Sequence, residues 1–386
     1  MNYQFEPNLV LLIFIILSLV GISFISAHLL KISSLTNLYI NGFVQFCAIF
    51  RLRQESLART DASYYYESGF SDLGINFGTD FVSYLSGILS NMFLLDFSSI
   101  FIIFSIFAVF AIQIFYALFL KFGGSRQHFI LRVIATGLIV VPIGFWGAGL
   151  NKDGLAFFSI ALLLFSMSNG RINVWQMSVA VVILFLVRPH IGLISIFSVF
   201  VGVIFARDIY NVHRLVIASI AVMALLFLTP IIFSYIGIDE ISVDAVSSFT
   251  GGRNEIYADT NAYINIRDLS PPLRLLSYLV RPFPWESSSP LQLIASIINI
   301  AFIVAFLLMY FNRNRQRKLL DSQMQLSYLV FFIAGLLVLG LTTSNLGISN
   351  RQKWMIAVPL LLLLLYRSEN LISISKQSVN SRRGER

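Results

Sequence analysis

The stretch RTDASYYYESG, residues 59–69, sets Arg59, Asp61 and Glu67 around three consecutive tyrosines, in a chain of which only 12% of residues are charged. Four other short stretches gather ionisable groups in the same way. FWGAGLNKDGLAFF puts Lys152 and Asp153 between two apolar segments with almost no loop, and FLVRPHIGLI does the same with Arg188, Pro189 and His190. RPFPWE brings Arg281, Trp285 and Glu286 together, and SNRQKW brings Arg351 and Lys353. The planar fork of arginine donates two hydrogen bonds at once to a phosphate, and lysine supplies a point charge. Aromatic rings beside polar groups suit a sugar, because rings stack on its apolar faces while polar groups hold its hydroxyls. The plain alternatives are ion pairs with acids of the same loops, lysines that snorkel to the interface, and Trp285 as an interface anchor.

The elements that carry these stretches are apolar helices. Hydrophobic residues make up 57% of the 386, including 36 phenylalanines, more apolar surface than one soluble core of this size hides. Runs at 8–27, 97–122 and 215–237 are long enough to cross a bilayer core, which takes about 20 residues. With shorter runs at 35–50, 131–149, 154–168, 173–187, 191–206, 291–311, 325–342 and 354–366 they predict about 11 spans, in a range of about 10–12. The first run lacks a basic flank and a small-residue cleavage pattern and reads as a retained span, and the run at 35–50 also suits a re-entrant or interfacial segment. The expected fold class is therefore all-α, a polytopic integral membrane protein. Residues 1–366 form one transmembrane domain with two large extracytoplasmic loops, about 51–97 and 238–290, and 367–386 form a basic cytoplasmic tail.

Charge orients the chain. The joints KFGGSRQHFILR, SNGR, RDIYNVHR and RNRQRK and the tail SRRGER are basic and nearly free of acids, which places them in the cytoplasm. Asp61, Glu67, Asp72, Asp80, Asp96, Asp153 and the acids between Asp239 and Glu286 then lie outside. So do Arg51, Arg53, Arg59, Lys152, Arg188, Arg281, Arg351 and Lys353, on the side that topology tends to keep free of cations. An anionic ligand at the outer interface accounts for them, and a lipid-linked diphosphate engages several together. Within the second loop, PPLRLLSYLV reads as an amphipathic segment on the membrane, followed by a stiff proline-rich turn. The net charge of +8 reports basic loops rather than a nucleic-acid surface. Cys47 is alone, so no internal disulfide or cysteine-based metal site exists, and there is no phosphate-binding P-loop, GxSxG elbow or HExxH pair.

TDASYY in the first large outer loop, FWGAGLNKD at a later span edge, RPFPWE and the late RQKW together resemble the GT-C superfamily of membrane glycosyltransferases. More narrowly, the chain is similar to the polytopic polymerases of bacterial surface-polysaccharide clusters, of the Wzy and EpsG kind. The resemblance implies glycosyl transfer on the outer face of the inner membrane from an undecaprenyl-linked donor, with no nucleotide sugar and no cofactor. In that reading Asp61 is the base, and Asp153 either orients Lys152 or acts as acid/base itself. Arg59, Lys152, Arg188, Arg281 and Arg351 clamp the phosphate or diphosphate leaving group. Tyr64, Tyr65 and Trp285 shape the sugar site, and no metal ligand set is present.

The favoured expectation is a polymerase joining undecaprenyl-diphosphate-linked repeats into O-antigen, capsule or exopolysaccharide, because the outer cations spread over several loops. Its partners are then the lipid-linked donor and acceptor, membrane lipids and other assembly proteins. A GT-C transferase moving one sugar from undecaprenyl phosphate is the nearest alternative. A flippase of polysaccharide intermediates is the non-enzymatic one, and it needs charges along the middle of spans rather than at their outer edges.

Overall fold

The computed structural model describes residues 18–55, 60–69, 76–122, 129–168, 172–205, 268–311 and 323–368, with isolated positions among 13–16 and 215–230 and at Tyr263. After a π-helical turn at Ser18–Ile22 come α1 (Ser23–Leu30), α2 (Ser34–Glu55), α3 (Asp61–Ser68), α4 (Thr79–Phe93), α5 (Phe97–Phe122), α6 (Phe129–Gly147), α7 (Lys152–Met167), α8 (Val174–Val187) and α9 (Pro189–Phe205). Further on lie α10 (Pro271–Val280), a 3₁₀ turn at Pro284–Glu286, α11 (Pro290–Phe311), α12 (Gln323–Thr342) and α13 (Leu346–Ser368). Among the described residues there is no strand, only one antiparallel bridge between Tyr263 and Asn345. The fold class is all-α. Among the described residues three helices are long and apolar enough to cross a membrane: Phe97–Phe122, Pro290–Phe311 and Met324–Thr342. Shorter apolar helices lie at Leu19–Leu30, Val133–Gly147, Val174–Val187 and Pro189–Phe205. Most of the predicted run at 215–237, most of the second loop and the tail from 369 onward lie outside the described residues.

The chain gathers into two compact units. The first comprises Met1–Ala117, Ile139–Ile196 and Leu225–Gly237; the second comprises Leu118–Leu138, Phe197–Ala224 and Ile238–Arg386.

In the first unit α2 explains why the run at 35–50 is short of apolar residues. Asn37, Asn41 and Gln45 recur every fourth residue on one buried face. Asn41 donates to the Ser23 hydroxyl and Asn37 to its carbonyl, while Gln45 accepts from Ser105 of α5. Interhelical hydrogen bonds of this kind hold apolar helices together where water does not compete. The first large loop predicted from the sequence contains two helices. α3 packs on α4 through Gly69, which follows α3, and Gly87 within α4. A Cβ on Gly87 would lie 2.1 Å from the Gly69 carbonyl oxygen, so only glycine permits this backbone approach. The Ser68 hydroxyl donates to Ser83 beside it, at 2.8 Å.

In the second unit α12 packs on α13, and α10 on α12. α10 is the amphipathic helix expected of PPLRLLSYLV: two prolines open it, Tyr278 is buried, and Leu273 and Leu276 face outward. α13 begins eight residues before the predicted run at 354–366, so Arg351 and Lys353 lie inside a helix.

Candidate functional site

The C-terminal turn of α2 organises the first unit's polar cluster. Arg51 Nη1 donates to the carbonyls of Phe145 and Trp146 at 3.2 Å each and of Ala148 at 2.6 Å. These are acceptors that the end of α6 leaves without helical partners, so a distant arginine serves as its cap. Asn151 continues the same turn. Its side-chain amide donates to Ala148 and Gly149 carbonyls, and its Oδ1 accepts from Gly154 N at 2.9 Å as the N-cap of α7. Gly149 sits at φ 86° with a Phe101 ring carbon 2.2 Å from where a Cβ would be, so both backbone and space demand glycine.

This turn delivers Lys152 and Asp153 as the first two residues of α7. Lys152 Nζ donates to Thr79 Oγ1 at 3.1 Å, and Thr79 opens α4. Two helix N-termini, each with partial positive charge, therefore meet at one ammonium group. Asp153 is buried and pairs with Arg188, which stands between α8 and α9. Removing one partner of such a buried pair costs about 3–5 kcal/mol, because it strands the other charge. The Gly78 N–H, donating to the Leu186 carbonyl at 2.6 Å, and the edge-on Phe77–Phe185 ring pair hold the α4 entry against the end of α8.

One helical turn beyond Arg51, Glu55 is 7% exposed and ends α2. Its Oε1 accepts from the Thr60 hydroxyl, and its Oε2 is buried with no hydrogen-bond partner among the described residues. Thr60 is the N-cap of α3, so this bond also sets where α3 and Asp61 begin. Burial pushes the Glu55 carboxyl above its ordinary range. The Thr60 hydroxyl and the Arg51 charge pull it back, and the Asp61 charge pushes it up again. α2 thus tethers both the Lys152–Asp153 turn, through Arg51, and the start of α3, through Glu55.

The residues singled out from the sequence divide between the units. Asp61, Tyr64, Tyr65, Lys152, Asp153 and Arg188 belong to the first, and Arg281, Trp285 and Arg351 to the second. Arg59 lies outside the described residues. Asp61 and Tyr64 are exposed, whereas the Tyr65 ring is 3% exposed and packs in the interior. Asp153 engages Arg188. The sequence reading passed over Glu55, whose setting in RLRQES looks like a solvated helix end; its spacing of four from Arg51 was the available signal.

In the second unit Lys353 is fully buried. Its Nζ donates to the Arg281 carbonyl at 2.6 Å and to Asn299 Oδ1 at 2.7 Å, while the Asn299 amide donates to the Val280 carbonyl. These bonds anchor the end of α10 and the start of RPFPWE. Arg281 pairs with Glu286 at 2.5 Å, and Glu286 also accepts from Phe283 N at 2.8 Å. The Phe283 and Trp285 rings stack at 4.7 Å, with Trp285 79% exposed. The loop is a braced aromatic plate beside a guanidinium. Among the described residues no cluster of three or more His, Cys, Asp or Glu side chains is set to hold a metal ion. Comparisons with protein-family models, curated proteins and solved structures find no match to this chain.

Proposed function

We propose that the chain is a multi-pass glycosyltransferase of the bacterial inner membrane, joining undecaprenyl-diphosphate-linked repeat units into a surface polysaccharide on the extracytoplasmic face. The observation that carries this reading is the first unit's cluster. Lys152 sits where the N-termini of α4 and α7 meet, Arg188 stands beside them on Asp153, and the carboxylates of the α2–α3 junction are tied to the same helix end that caps the turn. Glycosyl transfer needs both halves of that arrangement. A carboxylate takes the proton from the attacking hydroxyl while the anomeric carbon–oxygen bond breaks, and cations receive the negative charge that leaves on phosphate. Helix N-termini favour the same anion. Within the second unit, taken by itself, the braced Phe283–Trp285 plate and Arg281 pair an aromatic face with a cation, which suits a sugar phosphate.

The test is a strain lacking this gene, complemented with wild type or with Lys152→Gln. Loss of the long-chain glycan ladder with single repeats retained supports a polymerase, and Lys152→Gln inserts at wild-type level without restoring the ladder. Loss of one branch sugar instead assigns transfer of a single sugar. Intermediates trapped on the cytoplasmic face, or an unaltered glycan, overturn the reading.

A further inference from the structure

We propose that Glu55, rather than Asp61, is the catalytic carboxylate of this site, its Oε2 taking the proton of the acceptor hydroxyl. The proposal rests on the glycosyl-transfer reading above and names its base. Glu55 is 7% exposed, and one of its two oxygens is oriented by the Thr60 hydroxyl. Among the described residues no donor reaches the other. A buried acceptor left unpaired costs about 1–3 kcal/mol, more if charged, so its persistence calls for a ligand donor. Orientation through one oxygen with the second left to accept is the geometry of a positioned general base.

The charged groups facing Glu55 are Arg51 on its own helix and Asp61 on α3. Arg51 is turned to the carbonyls of Phe145, Trp146 and Ala148 rather than to Glu55. Asp61 is exposed. Burial keeps Glu55 a stronger base than an exposed carboxylate, nearer the range in which general bases work.

In the step itself the acceptor's O–H proton moves to Glu55 Oε2, and the acceptor oxygen's electron pair forms the new bond to the donor's anomeric carbon. The anomeric carbon–oxygen bond to phosphate breaks, and its electron pair leaves with the lipid phosphate or diphosphate. Release of the proton to water returns Glu55 to its starting state.

The experiment compares Glu55→Gln, Glu55→Asp and Asp61→Asn in the deletion strain, with membrane insertion quantified for each. Glu55→Gln is expected to cut glycan product by about 100-fold or more, the scale of a lost general base. Glu55→Asp restores part of it, and Asp61→Asn lowers product far less than Glu55→Gln. Independently, the purified full-length protein in lipid nanodiscs shows an infrared C=O band of a protonated carboxyl that persists to higher pH than those of exposed carboxyls, and that band vanishes in Glu55→Gln. A wild-type ladder from inserted Glu55→Gln, a ladder lost in Asp61→Asn alone, or the absence of that band overturns the assignment and leaves glycosyl transfer standing. A glycan unaffected by deletion of the gene overturns both.

Discussion

Glu55 and Asp61 stand six positions apart and carry the same functional group, yet one ends a helix inside the protein and the other starts a helix at its surface. That difference has a consequence for stability. A carboxyl raised by burial binds its proton in the folded chain at pH values where the unfolded chain has released it. Its contribution is full below the ordinary value of 4.5 and is lost as pH rises through the raised folded value. The melting temperature of the detergent-solubilised wild type should therefore fall across that window relative to Glu55→Gln, and the two curves should run parallel at higher pH. Such a contrast was not legible in RLRQESLARTD, where both acids sit among arginines. Tyr64 and Tyr65 show the same limit. They are neighbours in sequence, but successive residues of α3 point about 100° apart, so one ring is 56% exposed and the next 3%.

At the scale of elements, the apolar runs marked most helices, because a run of hydrophobic residues is a local property read without knowing its neighbours. α3 and α4 escaped that reading. α3 has eight residues, including Asp61, Glu67 and three tyrosines, and α4 is interrupted by serines. What holds them is the backbone approach of Gly69 to Gly87 and the Ser68–Ser83 bond, contacts with no apolar signature. Gly87→Ala should therefore destabilise the protein by about 1–3 kcal/mol or more, as overpacking against backbone does. Gly137→Ala is its control, since a Cβ there meets nothing within 4 Å. Thermal melts of both variants in detergent check the contrast, and equal melting temperatures would remove the glycine contact as the reason α3 is held. Because Thr60 caps α3 and its hydroxyl orients Glu55, the proposed function predicts that the Gly87→Ala protein also loses glycan product.

At the scale of the whole molecule, the charge asymmetry makes a topological prediction. On a Cys47→Ala background, which removes the lone buried cysteine, Trp285→Cys should react with a membrane-impermeant thiol reagent before the membrane is opened. Ser381→Cys in the basic tail should react only after the membrane is opened, and the reverse pattern would invert the orientation. The amino-acid sequence by itself determined the all-α class, the positions of the long apolar helices α5, α11 and α12, and the short list of polar stretches. Hydropathy and charge are sums over neighbouring residues, so no partner is needed to read them. Only the tertiary structure decided which of those polar groups are buried and with whom. Arg51 caps a helix whose last carbonyls lie 94 to 97 residues away, Asp153 holds Arg188 from 35 residues away, and Lys353 braces Arg281 from 72. Glu55 became a candidate base for the same reason: desolvation is imposed by whatever packs around a group, and the sequence records that packing nowhere in its local order.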